Sequence, residues 1–218
     1  MVDLRLYALL DPERAGAATL SGLATAVADG GATLVQLRDK LGSTRQLVAQ
    51  ARDLKTLLAP RSIPLLVNDR VDVALAAAAD GVHVGQDDME PEDARRLLGP
   101  GAIIGLSVKT VAQAQAVPVG VVDYVCIGGV FATTSKHNPE PPVGVDGLKS
   151  ILTVIRGRAP RLPVGAIAGI DASNAASVIA AGVDGIAVIS ALSLAPDVVG
   201  AARTLRGIVD AGLRAPLR

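Results

Sequence analysis

Two cationic side chains and an amide alternate within one short segment, Gln36-Leu37-Arg38-Asp39-Lys40. Because alternate residues of an extended chain share a face, Gln36, Arg38 and Lys40 point the same way at a strand end. Guanidinium and ammonium groups that converge on one point suit a ligand with several negative charges. An ordinary solvated strand end is the alternative interpretation.

Carboxylates follow the next two apolar segments of the chain. Asn68-Asp69-Arg70 comes after the first and Gly85-Gln86-Asp87-Asp88 after the second. Carboxylate oxygens suit Mg²⁺, which takes one or two of them and completes its shell with water and substrate phosphates. We therefore predict that Asp69 and Asp88 bind Mg²⁺. Capping of the following helices is the alternative, and we prefer it for Asp87.

Glycines and hydroxyl side chains follow the remaining segments. Glycine lets a phosphate approach the backbone, while hydroxyl, lysine and backbone N–H groups donate to its oxygens. These groups lie in different loops, so the sequence predicts two phosphorylated substrates, one of them handled with Mg²⁺. The residues concerned are Ser107, Gly128, Gly129, Thr133, Thr134, Ser135, Lys136, Gly169, Ile189 and Ser190.

Few residues are suited to acid–base or nucleophilic chemistry. His83 lies inside an apolar segment, and we interpret it as a buried imidazole bonded to the backbone rather than a catalytic group. His137 is interpreted as incidental and Cys126 as part of the core. One cysteine excludes an intrachain disulfide and a zinc-type cysteine cluster, and it favours a reducing, cytoplasmic location.

Eight short apolar segments alternate with segments of helical period, which is typical of a parallel sheet covered by helices. The predicted strands span 4–10, 33–37, 64–67, 81–84, 102–106, 123–127, 163–167 and 184–189. The predicted helices span 15–29, 44–58, 70–79, 90–98, 110–116, 145–157, 172–182 and 196–212.

A weak internal repeat favours one fold. A tight turn with Gly or Asp-Gly precedes the second, fourth, sixth and eighth strands, so the unit is two strand–helix pairs used four times. Eight pairs in about 200 residues predict a single (β/α)8 TIM barrel, since open doubly wound sheets usually have five or six strands. We place the barrel at residues 1–213 and a flexible tail at 214–218. The proline-rich stretch 138–143 falls in the loop after strand six.

Composition excludes several classes of protein. The 218 residues include 21 basic and 21 acidic side chains, no Trp, two Tyr and one Phe. A nucleic-acid binder would need a basic surface and aromatic platforms, so no nucleic acid is expected as a partner. Charges interrupt every apolar stretch, and we expect neither a signal peptide nor a membrane partner. Whether the chain forms a homo-oligomer is left open.

As an ordered set, these motifs resemble those of the thiamine-phosphate synthase family, whose barrel enzymes join a pyrimidine diphosphate to a thiazole phosphate. The resemblance covers residues 36–190. It implies a transferase in which Arg38, Lys40, Ser107 and Lys136 are catalytic and Mg²⁺ is the cofactor, bound by Asp69 and Asp88. Residues implied to bind the pyrimidine diphosphate are Gln36, Leu37, Arg38, Asp39, Lys40, Asn68, Ser107 and Lys136. Those implied to bind the thiazole phosphate are Thr133, Thr134, Ser135, Gly169, Ile189 and Ser190.

The chain departs from the family pattern at two places. Ala168-Gly169-Ile170 stands where the family commonly has Gly-Gly-Ile, so we expect a slightly tighter phosphate site. The loop over 137–143 is unusually rich in proline.

Three other functions compete with the synthase. A thiazole tautomerase-like barrel would have no use for two Mg²⁺ ligands. A non-catalytic barrel that binds thiamine precursors would keep the site without turnover. A barrel enzyme acting on a sugar phosphate would need a clear acid–base pair. The synthase explains the cations, hydroxyls and carboxylates together.

Overall fold

Eight parallel strands close into a barrel in which each strand pairs with the next along the chain and the last pairs with the first. The computed structural model describes residues 1–16, 18–135 and 141–215. The strands are β1 (Leu6–Leu10), β2 (Leu34–Leu37), β3 (Leu65–Asn68), β4 (Gly81–Val84), β5 (Ile103–Val108), β6 (Tyr124–Ile127), β7 (Val164–Ile167) and β8 (Gly185–Val188). The predicted (β/α)8 TIM barrel is confirmed.

Helices alternate with the strands, as predicted. They are α1 (Leu20–Asp29), α2 (Thr44–Leu58), α3 (Val71–Ala77), α4 (Pro91–Leu98), α5 (Val111–Ala116), α6 (Gly144–Arg158), α7 (Ala175–Ala180), α8 (Ser190–Ser193) and α9 (Val198–Arg214). Two 3-10 turns span Pro12–Arg14 and Ala59–Arg61. Within the ranges that the structure describes, no helix is long and apolar enough to cross a membrane.

Several helix boundaries differ from the predicted ones, and α8 was not predicted. Helix α1 begins later because the first 3-10 turn intervenes and the side chain of Thr19 accepts from the Gly22 N–H as the cap. Helix α7 begins at Ala175 because a turn precedes it, in which Asp171 accepts from the Ser173 N–H at 2.8 Å. Helix α9 continues to Arg214, and residues 216–218 of the predicted tail lie outside the described residues.

The sheet separates two apolar layers, because successive residues of a strand face opposite sides. The larger layer lies between the strands and the helices. The smaller one fills the barrel and contains Leu4, Tyr7, Leu9, Leu34, Leu66, Tyr124, Cys126 and Ala187. Cys126 is 1 % exposed, as predicted for a core residue, and burial raises the pKa of its thiol to about 12.

The internal repeat has a structural counterpart at the amino ends of the strands. An acidic residue before an even-numbered strand accepts a hydrogen bond from a backbone N–H at the start of the preceding strand. Asp80 does this with Leu65 N at 2.8 Å, Asp123 with Ile104 N at 2.7 Å and Asp184 with Val164 N at 2.7 Å. The same three carboxylates form ion pairs with Lys55 of α2, Arg95 of α4 and Arg156 of α6, respectively. Thr33 takes the acidic residue's place in the first unit and accepts from Leu6 N at 3.1 Å.

Two of these acidic residues are followed by glycines that the closed sheet requires. A Cβ atom on Gly81 would lie closer than 3.0 Å to the backbone of Ile103, and one on Gly185 closer than 3.0 Å to the backbone of Leu4. Both obstacles are main-chain atoms of a neighbouring strand or its lead-in, so they cannot rotate away. Packing therefore requires the glycine of these two Asp-Gly dipeptides.

The substitution Gly81→Ala should destabilise the barrel by about 1–3 kcal/mol or more, because the added methyl group must displace backbone. Gly157→Ala is the control, since Gly157 is exposed in α6 with nothing within 4 Å of a new Cβ. It should stabilise the protein by up to about 1 kcal/mol through helix propensity. Urea unfolding measures both values. Equal effects of the two substitutions would contradict the steric argument.

Candidate functional site

A cavity of about 430 Å³ opens at the carboxyl ends of the strands. Its floor is the inner layer of the barrel and its wall consists of the loops that follow the strands. Most of the predicted site residues line it: Gln36, Arg38, Lys40, Asn68, Asp69, Asp88, Ser107, Thr133, Ser135, Gly169, Ile189 and Ser190. Barrel closure thus brings together side chains that are as far as 154 positions apart in the sequence, from 36 to 190.

The remaining predicted site residues are placed elsewhere. Leu37 points away from the cavity into the layer between strands and helices, because it alternates with Gln36. Asp39 closes a turn, and its Oδ1 accepts from the backbone N–H groups of Leu41 at 2.9 Å and Gly42 at 2.7 Å. Thr134 is exposed, and its carbonyl accepts from Arg14 at 2.6 Å. Lys136 and His137 lie outside the described residues.

A buried carboxylate holds one of the cations. The Arg38 guanidinium donates from Nη1 to Oδ2 of Asp11, and the exposed fractions of the two side chains are 12% and 1%. Asp11 Oδ1 also accepts from the Glu13 N–H at 3.0 Å, which caps the first 3-10 turn. Asp11 was not predicted. Its position directly after the first apolar segment is equivalent to that of Arg38 after the second, and this was the available signal.

The two predicted metal ligands lie together on one side of the cavity. Lys40 Nζ pairs with Asp69 Oδ2, and Asp88 Oδ2 accepts from the Gly85 N–H at 2.8 Å. Loss of solvation, and next the neighbouring Asp69 carboxyl group, raise the pKa of Asp88. A carboxylate whose pKa is raised by burial and by its neighbour, next to the Asp69–Lys40 pair, fits a site for a divalent cation. In the described ranges no group of three or more His, Cys, Asp or Glu could hold a metal.

Asp69 is held in an unusual backbone conformation. Its φ is 61°, in the left-handed region that aspartate tolerates better than most residues do. The Asp69 N–H donates to the His83 carbonyl at 2.8 Å, which anchors this turn to the neighbouring strand. The backbone thereby fixes where the carboxylate projects at the end of β3.

The floor of the cavity is a chain of polar side chains across the barrel interior. Gln36 Nε2 donates to Tyr7 Oη, which lies 2.9 Å from Tyr124 Oη. Tyr124 Oη lies 2.7 Å from His83 Nδ1, and His83 Nε2 lies 2.8 Å from Ser107 Oγ. The burial predicted for His83 is confirmed, and its ring nitrogens bond to the side chains of Tyr124 and Ser107, which the inward face of β4 meets.

The opposite side of the cavity consists of backbone with positive φ. Gly129, Ala168 and Gly169 have φ values of 69°, 96° and 64°. The Phe131 N–H donates to the Ala168 carbonyl at 3.0 Å and so joins the loop after β6 to the loop after β7. Ser190 is the first residue of α8, beside these loops in the cavity wall. This side presents amides and hydroxyls where the other side presents charges.

Lys109 and Gln113 also line the cavity and were not predicted. Lys109 follows Ser107 by two residues, so strand alternation points both side chains the same way. The aliphatic part of Lys109 packs against Gly129, where a Cβ atom would lie 2.7 Å from Lys109 Cε. The alternation that identifies Ser107 as a cavity residue would also have predicted Lys109, two positions later.

Comparison with known proteins identifies the family. A family model described as "Thiamine monophosphate synthase" matches residues 6–192. The chain belongs to this family. A thiamine-phosphate synthase of Agrobacterium fabrum is 50% identical over 214 residues, covering 98% of this chain and 97% of the relative. One of Albidiferax ferrireducens is 48% identical over 211 residues, covering 95% and 93%.

A solved structure agrees with the family assignment. A thiamine phosphate pyrophosphorylase of Pyrococcus furiosus is 37% identical, with a TM-score of 0.85 and coverage of 97% of this chain and 98% of that one. The resemblance seen in the motifs is therefore confirmed, and so is the enzyme class, a transferase.

Removing the partner of Arg38 should be costly. Asp11→Ala leaves a guanidinium that is only 12% exposed without its counter-charge, and we expect a loss of about 3–5 kcal/mol of unfolding free energy. Asp29→Ala is the matched control, because the Asp29–Arg61 pair is 48% and 38% exposed and should contribute less than about 1 kcal/mol. Chemical unfolding compares them. A loss below 1 kcal/mol for Asp11→Ala would show that the pair is not needed.

Ala168 adopts a backbone conformation better suited to glycine. We expect Ala168→Gly to relieve about 1–3 kcal/mol of backbone strain in the folded protein. The greater freedom of glycine in the unfolded chain offsets about 1 kcal/mol of this gain. The melting temperature should therefore rise. Ala159→Gly, at a φ of −145°, should only destabilise the protein. Thermal unfolding of both variants tests the difference. A lower melting temperature for Ala168→Gly would mean that φ at this position carries no strain.

Proposed function

We propose that the chain is a thiamine phosphate synthase. It would condense 4-amino-2-methyl-5-(diphosphooxymethyl)pyrimidine with 4-methyl-5-(2-phosphooxyethyl)thiazole to give thiamine phosphate and pyrophosphate. The observation that carries the proposal is one cavity with two unlike sides. Cations and carboxylates from β2 to β5 face glycine and hydroxyl groups from β6 to β8. One polyanion with a metal and one phosphate monoester fit those two sides.

The charged side would bind the leaving group. In the proposed dissociative step, the bond between the pyrimidine methylene carbon and the diphosphate oxygen breaks, and its electron pair leaves with pyrophosphate. Arg38, Lys40 and Ser107 would stabilise that developing charge, and Lys136 is predicted to assist them. The electron-rich aminopyrimidine stabilises the cation that remains, so no protein nucleophile is required.

Mg²⁺ is proposed as the cofactor, held by Asp69 and Asp88. When bound, it would supply positive charge to the pyrophosphate oxygens. The raised pKa of Asp88 supports the choice of site, because two acidic groups in contact would be stabilised by a nearby cation.

The backbone side would orient the second substrate. Thr133, Ser135, Gly169 and Ser190 would hold the thiazole phosphate so that the ring nitrogen faces the methylene carbon. The new carbon–nitrogen bond uses the nitrogen lone pair, and the positive charge moves to the thiazolium product. The protein's contribution to this step is alignment of two rings within one cavity. We also infer that the reaction takes place in the cytoplasm, because its substrates are metabolic phosphates and the lone cysteine is unpaired.

Purified protein supplied with both precursors should form thiamine phosphate only when Mg²⁺ is present. Excess chelator should abolish product formation. Asp69→Ala combined with Asp88→Ala should lower the rate by at least about 100-fold, as expected when a charge that stabilises the leaving group is lost. Asp93→Asn is the matched control, because Asp93 pairs with Arg96 on the exposed side of α4. Product is quantified by chromatography.

Two outcomes would change the proposal. Equal product with chelator, or from the double variant, would refute the metal site. No product with both substrates and Mg²⁺ would refute the synthase. Incubation with thiazole isomers alone would then separate a thiazole tautomerase, which interconverts them, from a barrel that only binds thiamine precursors.

A further inference from the structure

We propose that Tyr7, Tyr124 and His83 are positioning residues that set the hydrogen-bonding direction of Gln36 and Ser107. In this arrangement Gln36 presents its carbonyl oxygen to the substrate as an acceptor, and Ser107 presents its hydroxyl proton as a donor. The identity of the substrate groups rests on the proposed function, whereas the direction of the chain is a property of the free protein.

The interior chain, Gln36–Tyr7–Tyr124–His83–Ser107, is almost fully shielded from water. Tyr124 is 0% exposed, Gln36 1%, Tyr7 2% and His83 7%. Burial raises the pKa values of both tyrosines far above their ordinary value of 10.0. Both phenols therefore keep their protons at neutral pH, and each has one proton to donate.

One proton for each hydroxyl makes the chain directional. Because Tyr7 Oη accepts from Gln36 Nε2, its own proton can go to Tyr124 Oη, 2.9 Å away. Tyr124 then donates to His83 Nδ1 at 2.7 Å. With Nδ1 as an acceptor, the neutral imidazole carries its proton on Nε2 and donates to Ser107 Oγ at 2.8 Å. The Ser107 proton is left to face the cavity.

The two ends of the chain both reach the substrate cavity. Gln36 Oε1 is buried and has no hydrogen-bond partner among the described residues. A buried carbonyl without a donor costs about 1–3 kcal/mol, so the site is built for a ligand that brings an N–H group. The exocyclic amine of an aminopyrimidine is such a donor. The Ser107 hydroxyl would donate its proton to an acceptor of the ligand, such as a diphosphate oxygen.

Packing holds the chain in one arrangement. A Cβ atom on Gly105 would lie closer than 3.0 Å to the Tyr124 ring, so glycine at this position makes room for the tyrosine. The rings of Tyr7 and Tyr124 meet edge to face, with centroids 5.9 Å apart and an interplanar angle of 83°. Neither phenol can turn to a different partner without displacing a neighbour. The chain is therefore a rigid support for the two side chains at its ends.

The direction of the chain can be measured without substrate. The protein contains two histidines, His83 and His137. Comparing a ¹⁵N-labelled sample with its His137→Gln variant therefore assigns the His83 signals. We expect the neutral tautomer with the proton on Nε2, and we expect this preference to weaken in Tyr124→Phe. A proton on Nδ1, or on both nitrogens at pH 7.5, would overturn the proposed direction.

A double-mutant cycle tests whether the direction matters for substrate binding. Tyr7→Phe removes only the oxygen that orients the Gln36 amide, and we expect the KM for the pyrimidine diphosphate to rise about five-fold or more, with the KM for the thiazole phosphate unchanged. In a Gln36→Ala background, Tyr7→Phe should have little further effect. Leu66→Met, in the same inner layer, is the control for repacking and should change neither KM.

An equal rise in KM in both backgrounds would mean that Tyr7 does not act through Gln36, and it would overturn the positioning role. No rise in either background would do the same. Failure of the proposed function looks different, because wild-type protein would then form no product. The His83 tautomer would still report the direction of the chain in that case.

Discussion

Closure of eight parallel strands is the constraint on which the rest of this structure depends. It brings all the carboxyl ends to one rim, so that short polar segments after different strands become walls of a single cavity. It also leaves a narrow interior, and the close approach of neighbouring backbones requires glycine at Gly81 and Gly185. The repeated acidic residues before the even-numbered strands stabilise the opposite rim, where backbone groups would otherwise lack partners.

Charge at the functional rim is balanced locally as well as over the whole chain. Arg38 is paired with Asp11, and Lys40 with Asp69, so each cation faces the cavity with its orientation already set. Fixed orientation reduces the side-chain entropy lost when a ligand binds. On the other side of the cavity, backbone groups have the fixed orientation, because Gly129, Ala168 and Gly169 are held at positive φ. A net charge of zero thus coexists with a strongly polar site.

The few aromatic residues are placed differently from the aliphatic ones. Aliphatic layers do fill the space between strands and helices, as expected for a barrel of this size. Both tyrosines, however, lie inside the barrel, where they form a hydrogen-bonded chain with His83 beneath the cavity. Phe131, which the sequence places in the loop after strand six, is only partly buried. The few large rings support the site more than the core.

The sequence by itself determined the eight strand–helix pairs, their order and most of the residues around the cavity. It could do so because strand ends in a parallel barrel share one rim, and because alternation separates residues such as Gln36 from Leu37. Only the tertiary structure decided which side chains bond to one another at the site. Asp11 reaches Arg38 from an adjacent strand, and Tyr7, Tyr124, His83 and Ser107 meet only when the barrel closes. Side-chain contacts across 117 positions, as between the two tyrosines, depend on strand register, which local patterns do not encode.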